Sequence, residues 1–181
     1  MECTPTRIPA VLLIRPRVFG DGRGYFLETW QRQRFEAAGV EVTFVQDNLS
    51  RSTRGTLRGL HYQMPQEQGK LVSVVRGEVF DVAVDLRESS PTFGRWVATV
   101  LSDQNHEALW IPPGFAHGFL TLSETADFLY KCTDYYAPSC ERSIRWDDPT
   151  LGIEWPAIGE PPILSPRDAA APAFADAEYF A

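Results

Sequence analysis

No run of apolar residues in this chain approaches the roughly 20 that a membrane-spanning helix needs. The first residues, Met1 to Arg7, contain no apolar signal core ahead of a basic residue, so a cytoplasmic location is expected. Cysteine is scarce: Cys3, Cys132 and Cys140 make an odd set without metal-ligand spacing, which argues against a disulfide framework and for reduced, structural thiols. Excess positive charge is also missing. A net charge of -7 works against non-specific association with nucleic acid, so an anionic small molecule must be met by local arginines. Histidine is rare as well, with three in the chain, and long helical periodicity is nearly absent. Low-complexity segments and long internal repeats are lacking too.

What remains is β-patterned sequence. With 181 residues, 44% of them hydrophobic, the chain reads as one domain, residues 1–181, able to bury a substantial core. Lys70 to Arg87 reads as strand, turn, strand, with Arg76-Gly77 as the reversal. Phe80, Val82, Val84 and Leu86 share one parity and Asp81 and Asp85 the other, the period of a sheet with one buried face. Further strands are expected over Arg95–Leu101, His106–Ile111, Gly118–Leu122 and Ala126–Thr133, and such short, regular strands suggest a barrel or sandwich. One short helix is expected from about Thr29 to Ala38, capped by Thr29 and ended by Gly39. From Trp155 onward the sequence is rich in Pro and Ala and, by composition alone, reads as a loose tail.

Two histidine-bearing segments stand out, Leu57-Arg58-Gly59-Leu60-His61-Tyr62-Gln63 and Ile111-Pro112-Pro113-Gly114-Phe115-Ala116-His117. They look like the two halves of a cupin barrel. Cupin metal sites usually take two histidines and a carboxylate from the first half. Here Gln63 stands where the second histidine would be, and an amide is a poor transition-metal ligand. Acid–base chemistry suits the set better, because histidine is the side chain whose ordinary pKa lies near neutrality, although a lone histidine in a core strand equally reads as a satisfied structural group. Leu57, Gly59, His61 and Gln63 share a strand face, with Gly59 leaving room for something to approach. Tyr130 shares parity with Phe128 and Cys132 on the expected interior face. Lys70 opens a strand and could meet a developing oxyanion, or simply be a solvated strand end. Arg58, three residues from His61, can share its cavity only if the strand bulges, and Gly59 is a suitable place. The turn Phe19-Gly20-Asp21-Gly22-Arg23-Gly24-Tyr25-Phe26 could bring Arg23 to a phosphate and an aromatic face to a base, or be an exposed hairpin. Gln46-Asp47-Asn48 ends the apolar run Val42 to Val45 and could be a turn or a polar lining. His106 sits among polar residues and reads as solvated.

From about Ile8 through Pro172 the chain closely resembles the dTDP-4-dehydrorhamnose 3,5-epimerases. The resemblance rests on Phe19-Gly20-Asp21 with Arg23-Gly24, Phe44-Val45-Gln46-Asp47-Asn48, the Arg58–Gln63 run and Gln68-Gly69-Lys70-Leu71-Val72. It continues through Val79–Asp85, Ser90-Pro91-Thr92-Phe93-Gly94, Trp110-Ile111-Pro112, Gly114–Phe119, Ser165 and Asp168. It implies an all-β cupin jelly-roll barrel with short peripheral helices, a C-terminal segment from about 155 packed on the barrel, and a homodimer. No metal or other cofactor is implied. His61 would be the base, Asp168 its support, Tyr130 the proton donor and Lys70 the partner of the keto oxygen. Arg23, Glu28, Gln46, Asp47, Asn48, Arg58, His117, Glu141 and Arg167 would bind substrate, Arg167 standing where the family often has lysine, a donor of different geometry. The implied substrate is dTDP-4-dehydro-6-deoxy-D-glucose, whose carbons 3 and 5 flank the carbon-4 ketone. An epimerase inverting one carbon, with aromatics such as Tyr136 setting the choice, and a metal-dependent or non-catalytic sugar-binding cupin are the alternatives.

Overall fold

The computed structural model describes residues 1–181. The strands are β1 (Glu2–Pro5), β2 (Leu12–Arg15), β3 (Val18–Asp21), β4 (Gly24–Leu27), β5 (Gln46–Thr53), β6 (Leu57–Gln63) and β7 (Lys70–Arg76). They continue with β8 (Glu78–Asp85), β9 (Trp96–Ser102), β10 (Ala108–Ile111), β11 (Phe115–Thr121), β12 (Thr125–Cys132) and β13 (Glu141–Ser143). The helices are short, α1 at Arg32–Glu36 and α2 at Pro166–Ala169. A six-stranded sheet in the order β1-β2-β10-β7-β12-β5 faces a five-stranded sheet in the order β13-β6-β11-β8-β9, and β3 and β4 form a separate hairpin. This is the expected jelly roll, antiparallel throughout its sheets.

Three apolar clusters cover these sheets. The barrel interior is filled by Val72 and Val74 from β7, Val79 and Ala83 from β8, and Phe119 and Phe128. The outer face of the five-stranded sheet, carrying Leu60, Tyr62, Val82 and Val84, is covered by Ile144, Leu151, Phe174 and Phe180. The outer face of the six-stranded sheet packs Ile14, Leu71 and Trp110 against Phe35 and Val40 beside α1. Each fully buried Phe or Leu in such a cluster contributes about 2 kcal/mol of transfer free energy.

This layering corrects several sequence expectations. β7 and β8 do not pair across Arg76-Gly77; they lie in opposite sheets, so the turn carries the chain across the barrel. β8 is buried on both faces, not one: Val82, Val84 and Leu86 meet the C-terminal segment, while Val79, Asp81 and Ala83 occupy the other face. The Pro- and Ala-rich tail is therefore a structural layer and not loose. Asp148, just upstream, accepts backbone hydrogen bonds from Thr150 and Leu151 and from Phe174 of the tail, and Phe180 N donates to Leu86 O.

The helix is shorter than expected and capped elsewhere. Gln31, not Thr29, is the N-cap, accepting from Arg34 N, and Trp30 immediately before it packs on Phe35 with ring centroids 6.4 Å apart. That contact fixes the entry angle as a hydrophobic staple and shifts the cap two residues along. Gly39 does follow the helix, at φ +85°. The apolar run Val42 to Val45 precedes β5 and is not itself a strand; Val42 and Phe44 pack on the cluster around Trp110. His106 is not simply solvated: its ring packs against Tyr25, tilted by 43° with centroids 4.5 Å apart.

Candidate active site

β5, β7 and β12 lie side by side, with Tyr130 opposite Asn48 and Cys132 opposite both Gln46 and Lys70. Because side chains alternate along a strand, Gln46, Asn48, Lys70, Tyr130 and Cys132 all face the barrel mouth. The opposing sheet brings His61 and Gln63 on β6 and Glu141 on β13, in register with Gln63. Together they line a cavity of about 300 Å³ that also receives Gln68 and Tyr136.

His61 Nε2 donates to Asp168 Oδ1 at 2.5 Å. Asp168 comes from α2, where Ser165 is the N-cap: Ser165 Oγ accepts from Asp168 N (3.1 Å) and donates to Asp168 Oδ2 (2.8 Å). Burial alone would raise the Asp168 pKa, but the bonds from His61, Ser165 and the Gly59 backbone outweigh it and hold the carboxyl below its usual range. Asp168 is thus an ionised orienting group, and the other imidazole nitrogen, Nδ1, is left as the basic position.

Lys70 and Tyr130 are shifted in opposite senses by the same cause. Burial lowers the Lys70 amine, against the charges of Cys132, Glu141 and Asp81. Burial also raises the Tyr130 phenol, against the positive charge of Arg58. Tyr130 is therefore a neutral hydroxyl able to give a proton, and Lys70 is an amine whose charged form is disfavoured by its burial. At the rim, Tyr136 OH donates to Glu141 Oε2 at 2.5 Å and Arg167 forms an ion pair with the same carboxylate.

Not every expected residue reaches this cavity. Arg23 stands at the tip of the β3–β4 hairpin, 91% exposed and paired with Asp21. Glu28 pairs with Arg34. Asp47 points from the opposite face of β5 and bonds Lys131, while its neighbours Gln46 and Asn48 turn inward. His117 lies buried in the barrel interior against Asp81. Arg58 donates to Ser52 Oγ, and the anticipated bulge is present: the β6–β11 register shifts between His117 and Phe119, opposite Arg58 to His61. The room expected beside Gly59 is taken by the neighbouring strand. A Cβ there would stand 2.5 Å from Gly118 Cα and 2.7 Å from His117 O, so the glycine admits the neighbouring strand.

Sequence reasoning gave no site role to Gln63, Gln68 or Cys132, nor a contact to Ser165. Gln63, 4% exposed, accepts from Ala137 N and donates to Gln66 O, clamping the loop that carries Tyr136. Its alternation with His61 was the available signal. Cys132 was read as a structural thiol; it is buried but lines the cavity, accepting from Asn48 Nδ2 at 3.7 Å. No three His, Cys, Asp or Glu side chains converge to hold a metal ion.

Comparison with known proteins agrees with this geometry. A family described as dTDP-4-dehydrorhamnose 3,5-epimerase matches residues 5–176. The dTDP-4-dehydrorhamnose 3,5-epimerase of Pseudomonas aeruginosa is 59% identical over 181 residues, covering 99% of both chains. The dTDP-6-deoxy-D-glucose-3,5-epimerase of Legionella pneumophila, solved in complex with dTDP-4-keto-L-rhamnose, superposes with a TM-score of 0.94 at 56% identity, covering 97% of this chain and 93% of the other. A 3'-monoepimerase from Streptomyces bikiniensis, solved in complex with dTDP-quinovose, gives a TM-score of 0.88 at 38% identity, covering 94% of this chain and 87% of its own. With a family match over almost its whole length and relatives of this identity, the chain belongs to the dTDP-4-dehydrorhamnose 3,5-epimerase family.

Proposed function

We propose that this protein converts dTDP-4-dehydro-6-deoxy-D-glucose to dTDP-4-dehydro-L-rhamnose by inverting carbons 3 and 5. The observation that carries the roles is His61, bonded to Asp168 behind it, sharing one cavity with Lys70 and Tyr130. His61 Nδ1 removes the proton beside the ketone, and ionised Asp168 stabilises the imidazolium that forms. The electron pair moves to the carbon-4 oxygen, where the Lys70 ammonium donates a charge-assisted hydrogen bond to the enolate. Tyr130 then gives its phenolic proton to the opposite face, inverting the centre, and exchange with solvent resets both groups. The substrate carries its own activating ketone, so these four side chains supply every proton movement.

Gln46, Asn48, Glu141 and Arg167 at the cavity and its rim are assigned to substrate binding. Arg23, Glu28, Asp47 and Arg58 belong to the same proposal at positions outside the single-chain cavity, which is where a second subunit would complete the site. A homodimer is supported by the exposed apolar side chains of the hairpin and the adjoining sheet face, Phe19, Tyr25, Phe26, Leu49 and Val75. Residues 1–181 act as one domain in this reading, because the C-terminal segment supplies Asp168. The enzyme would work in the cytoplasm on a free nucleotide sugar; no helix is long and apolar enough to cross a membrane.

The test is incubation with dTDP-4-dehydro-6-deoxy-D-glucose in heavy water, with an enzyme-free control and reductive trapping of the product. Enzyme-dependent deuterium and inversion at both carbons are expected. Inversion at one carbon would make it a monoepimerase, and no enzyme-dependent exchange would remove the proposed chemistry. Light scattering of the purified protein should return twice the 20.4 kDa chain mass.

A further inference from the structure

The chain leaves the six-stranded sheet at Cys132, the end of β12, and enters the five-stranded sheet at Glu141, the start of β13. Residues 133–140 therefore cross from one sheet to the other beside the cavity, and Tyr136 in this connection is part of the cavity lining. A connection between sheets, with Tyr135 and Tyr136 both exposed, is ordinarily a mobile part of a fold. This one is tied down.

Four glutamine side chains hold its main chain. Gln68 Nε2 donates to Asp134 O at 2.8 Å, and Gln66 Nε2 donates to Tyr135 O at 3.2 Å. Gln46 Oε1 accepts from Tyr136 N at 2.9 Å. Gln63 grips the loop from both ends of its amide: Nε2 donates to Tyr135 O at 3.2 Å and Oε1 accepts from Ala137 N at 2.8 Å. The same Nε2 donates to Gln66 O at 2.8 Å, and Gln66 adopts φ +67°, a conformation uncommon outside glycine. Of the four glutamines only Gln63 is buried, so its bonds are made away from water and fix the loop most firmly.

What the loop carries gives this restraint a consequence. Tyr136 OH donates to Glu141 Oε2 at 2.5 Å, so ring and carboxylate form one continuous part of the cavity wall. Double inversion makes a demand on that wall that single inversion does not. One base, His61, and one acid, Tyr130, must serve two carbons, so the singly inverted sugar has to be reoriented inside the cavity before it escapes. Release competes with the second inversion, and the firmness of the wall decides between them.

We propose that Gln63 is a specificity-determining positioning residue, which pins the Tyr135–Ala137 backbone, keeps the Tyr136–Glu141 wall closed and retains the singly inverted sugar for its second inversion. The inference rests on the epimerase reading above and adds to it the group that makes the two inversions consecutive. Both ends of the Gln63 amide are spent on protein, so it acts through the loop and not on the sugar.

Gln63→Met keeps the length of the side chain and removes all three of its bonds. With dTDP-4-dehydro-6-deoxy-D-glucose, released sugars are trapped by reduction at low conversion, and singly and doubly inverted products are counted. The wild type should release mainly doubly inverted sugar, and the ratio of singly to doubly inverted product should rise about fivefold or more in the variant. That ratio does not depend on how much of the enzyme is folded, so a merely stabilising role would leave it unmoved. Deuterium should still enter the sugar within about threefold of the wild-type rate, because the proton-transfer groups are untouched. In amide exchange followed by NMR, Tyr136 N and Ala137 N should exchange about tenfold faster or more than in the wild type. An unchanged product ratio or unchanged loop exchange in folded Gln63→Met overturns the proposal and leaves the epimerase reading standing. Loss of deuterium entry would make Gln63 a support for His61, which also overturns it. A wild type that inverts one carbon or none fails the epimerase reading first, and the proposed retention falls with it. Should Gln63→Met not fold, Gln66→Ala at an exposed position removes the bonds to Tyr135 O and Asp134 Oδ1. It should raise the same ratio, and an unmoved ratio there rejects the proposal.

Discussion

His61 Nε2 and Asp168 Oδ1 meet at 2.5 Å although 107 residues separate them in the chain. The contact joins a barrel strand to the C-terminal segment, so in the proposed mechanism the segment supplies part of the reaction centre as well as a cover for the sheet. Asp168→Asn keeps the side-chain shape but removes the charge that stabilises a protonated His61. We expect kcat to fall by about 10²-fold or more with the melting temperature little changed, and His61→Ala to abolish turnover in a folded protein. Steady-state kinetics with calorimetry checks both; normal turnover by either variant would exclude the dyad.

Ser165→Ala separates positioning from charge. The hydroxyl both caps α2 and holds Asp168 Oδ2. Its loss should cost about 1 kcal/mol of stability as a missing cap. It should also reduce kcat by about tenfold, since Asp168 keeps its charge and loses its orientation. An unaltered kcat would reduce Ser165 to a helix cap.

Tyr130 is assigned the second proton transfer, so its loss should uncouple exchange from inversion. In Tyr130→Phe, His61 can still remove and return a proton on one face. Deuterium should then enter the starting sugar while inverted product falls by about 10²-fold or more. Loss of exchange and inversion together would mean that Tyr130 acts earlier than proposed.

Asp85 dominates a different property. Burial raises its pKa, but bonds from Arg87, Ser90 and Thr92 prevail and bring it down to about 2 from 3.8. Its folded-state pKa lies below the unfolded value, so its stabilisation is complete above about pH 4 and disappears as the pH falls towards 2. The shift is worth about 2 kcal/mol. Asp85→Asn should cost about 3 kcal/mol at neutral pH by leaving Arg87 unpaired, and should flatten that acid limb in urea titrations between pH 5 and 2, a range set by linkage at about these values. An unchanged acid limb would assign it to other carboxylates.

The jelly roll was legible because period-two patterning and turn residues are local signals, and most strand positions followed from them. The pairing of β7 and β8 was not, since Arg76-Gly77 marks a reversal whether the next strand pairs or crosses to the other sheet. Asp81 misled for a related reason: parity separates two faces but cannot tell that both are covered, one by the barrel interior and one by the C-terminal layer. His61, Lys70 and Tyr130 were placed by strand parity and the family motifs. Their gathering with Asp168 depends on a contact made by the tail, which composition alone describes as loose. The outward turn of Asp47 between Gln46 and Asn48 follows from β5 beginning at Gln46, one residue beyond the apolar run, so of the two expectations the polar lining holds for Gln46 and Asn48 and not for Asp47.

Gly59 offers the most direct test of how the two histidine strands fit together. Its φ of +121° is a conformation side chains rarely adopt, and a Cβ would press on the backbone of Gly118 and His117. Neither obstacle is the end of a flexible side chain, so relief requires β6 and β11 to separate. That movement would displace His61 and His117 together, since they are register partners. Gly59→Ala should therefore destabilise the protein by about 2 kcal/mol or more, and the folded fraction should turn over poorly because His61 has left its place beside Asp168. Chemical denaturation gives the first quantity and active-fraction kinetics the second. A stable, fully active Gly59→Ala protein would show that the strands accommodate the methyl group without moving.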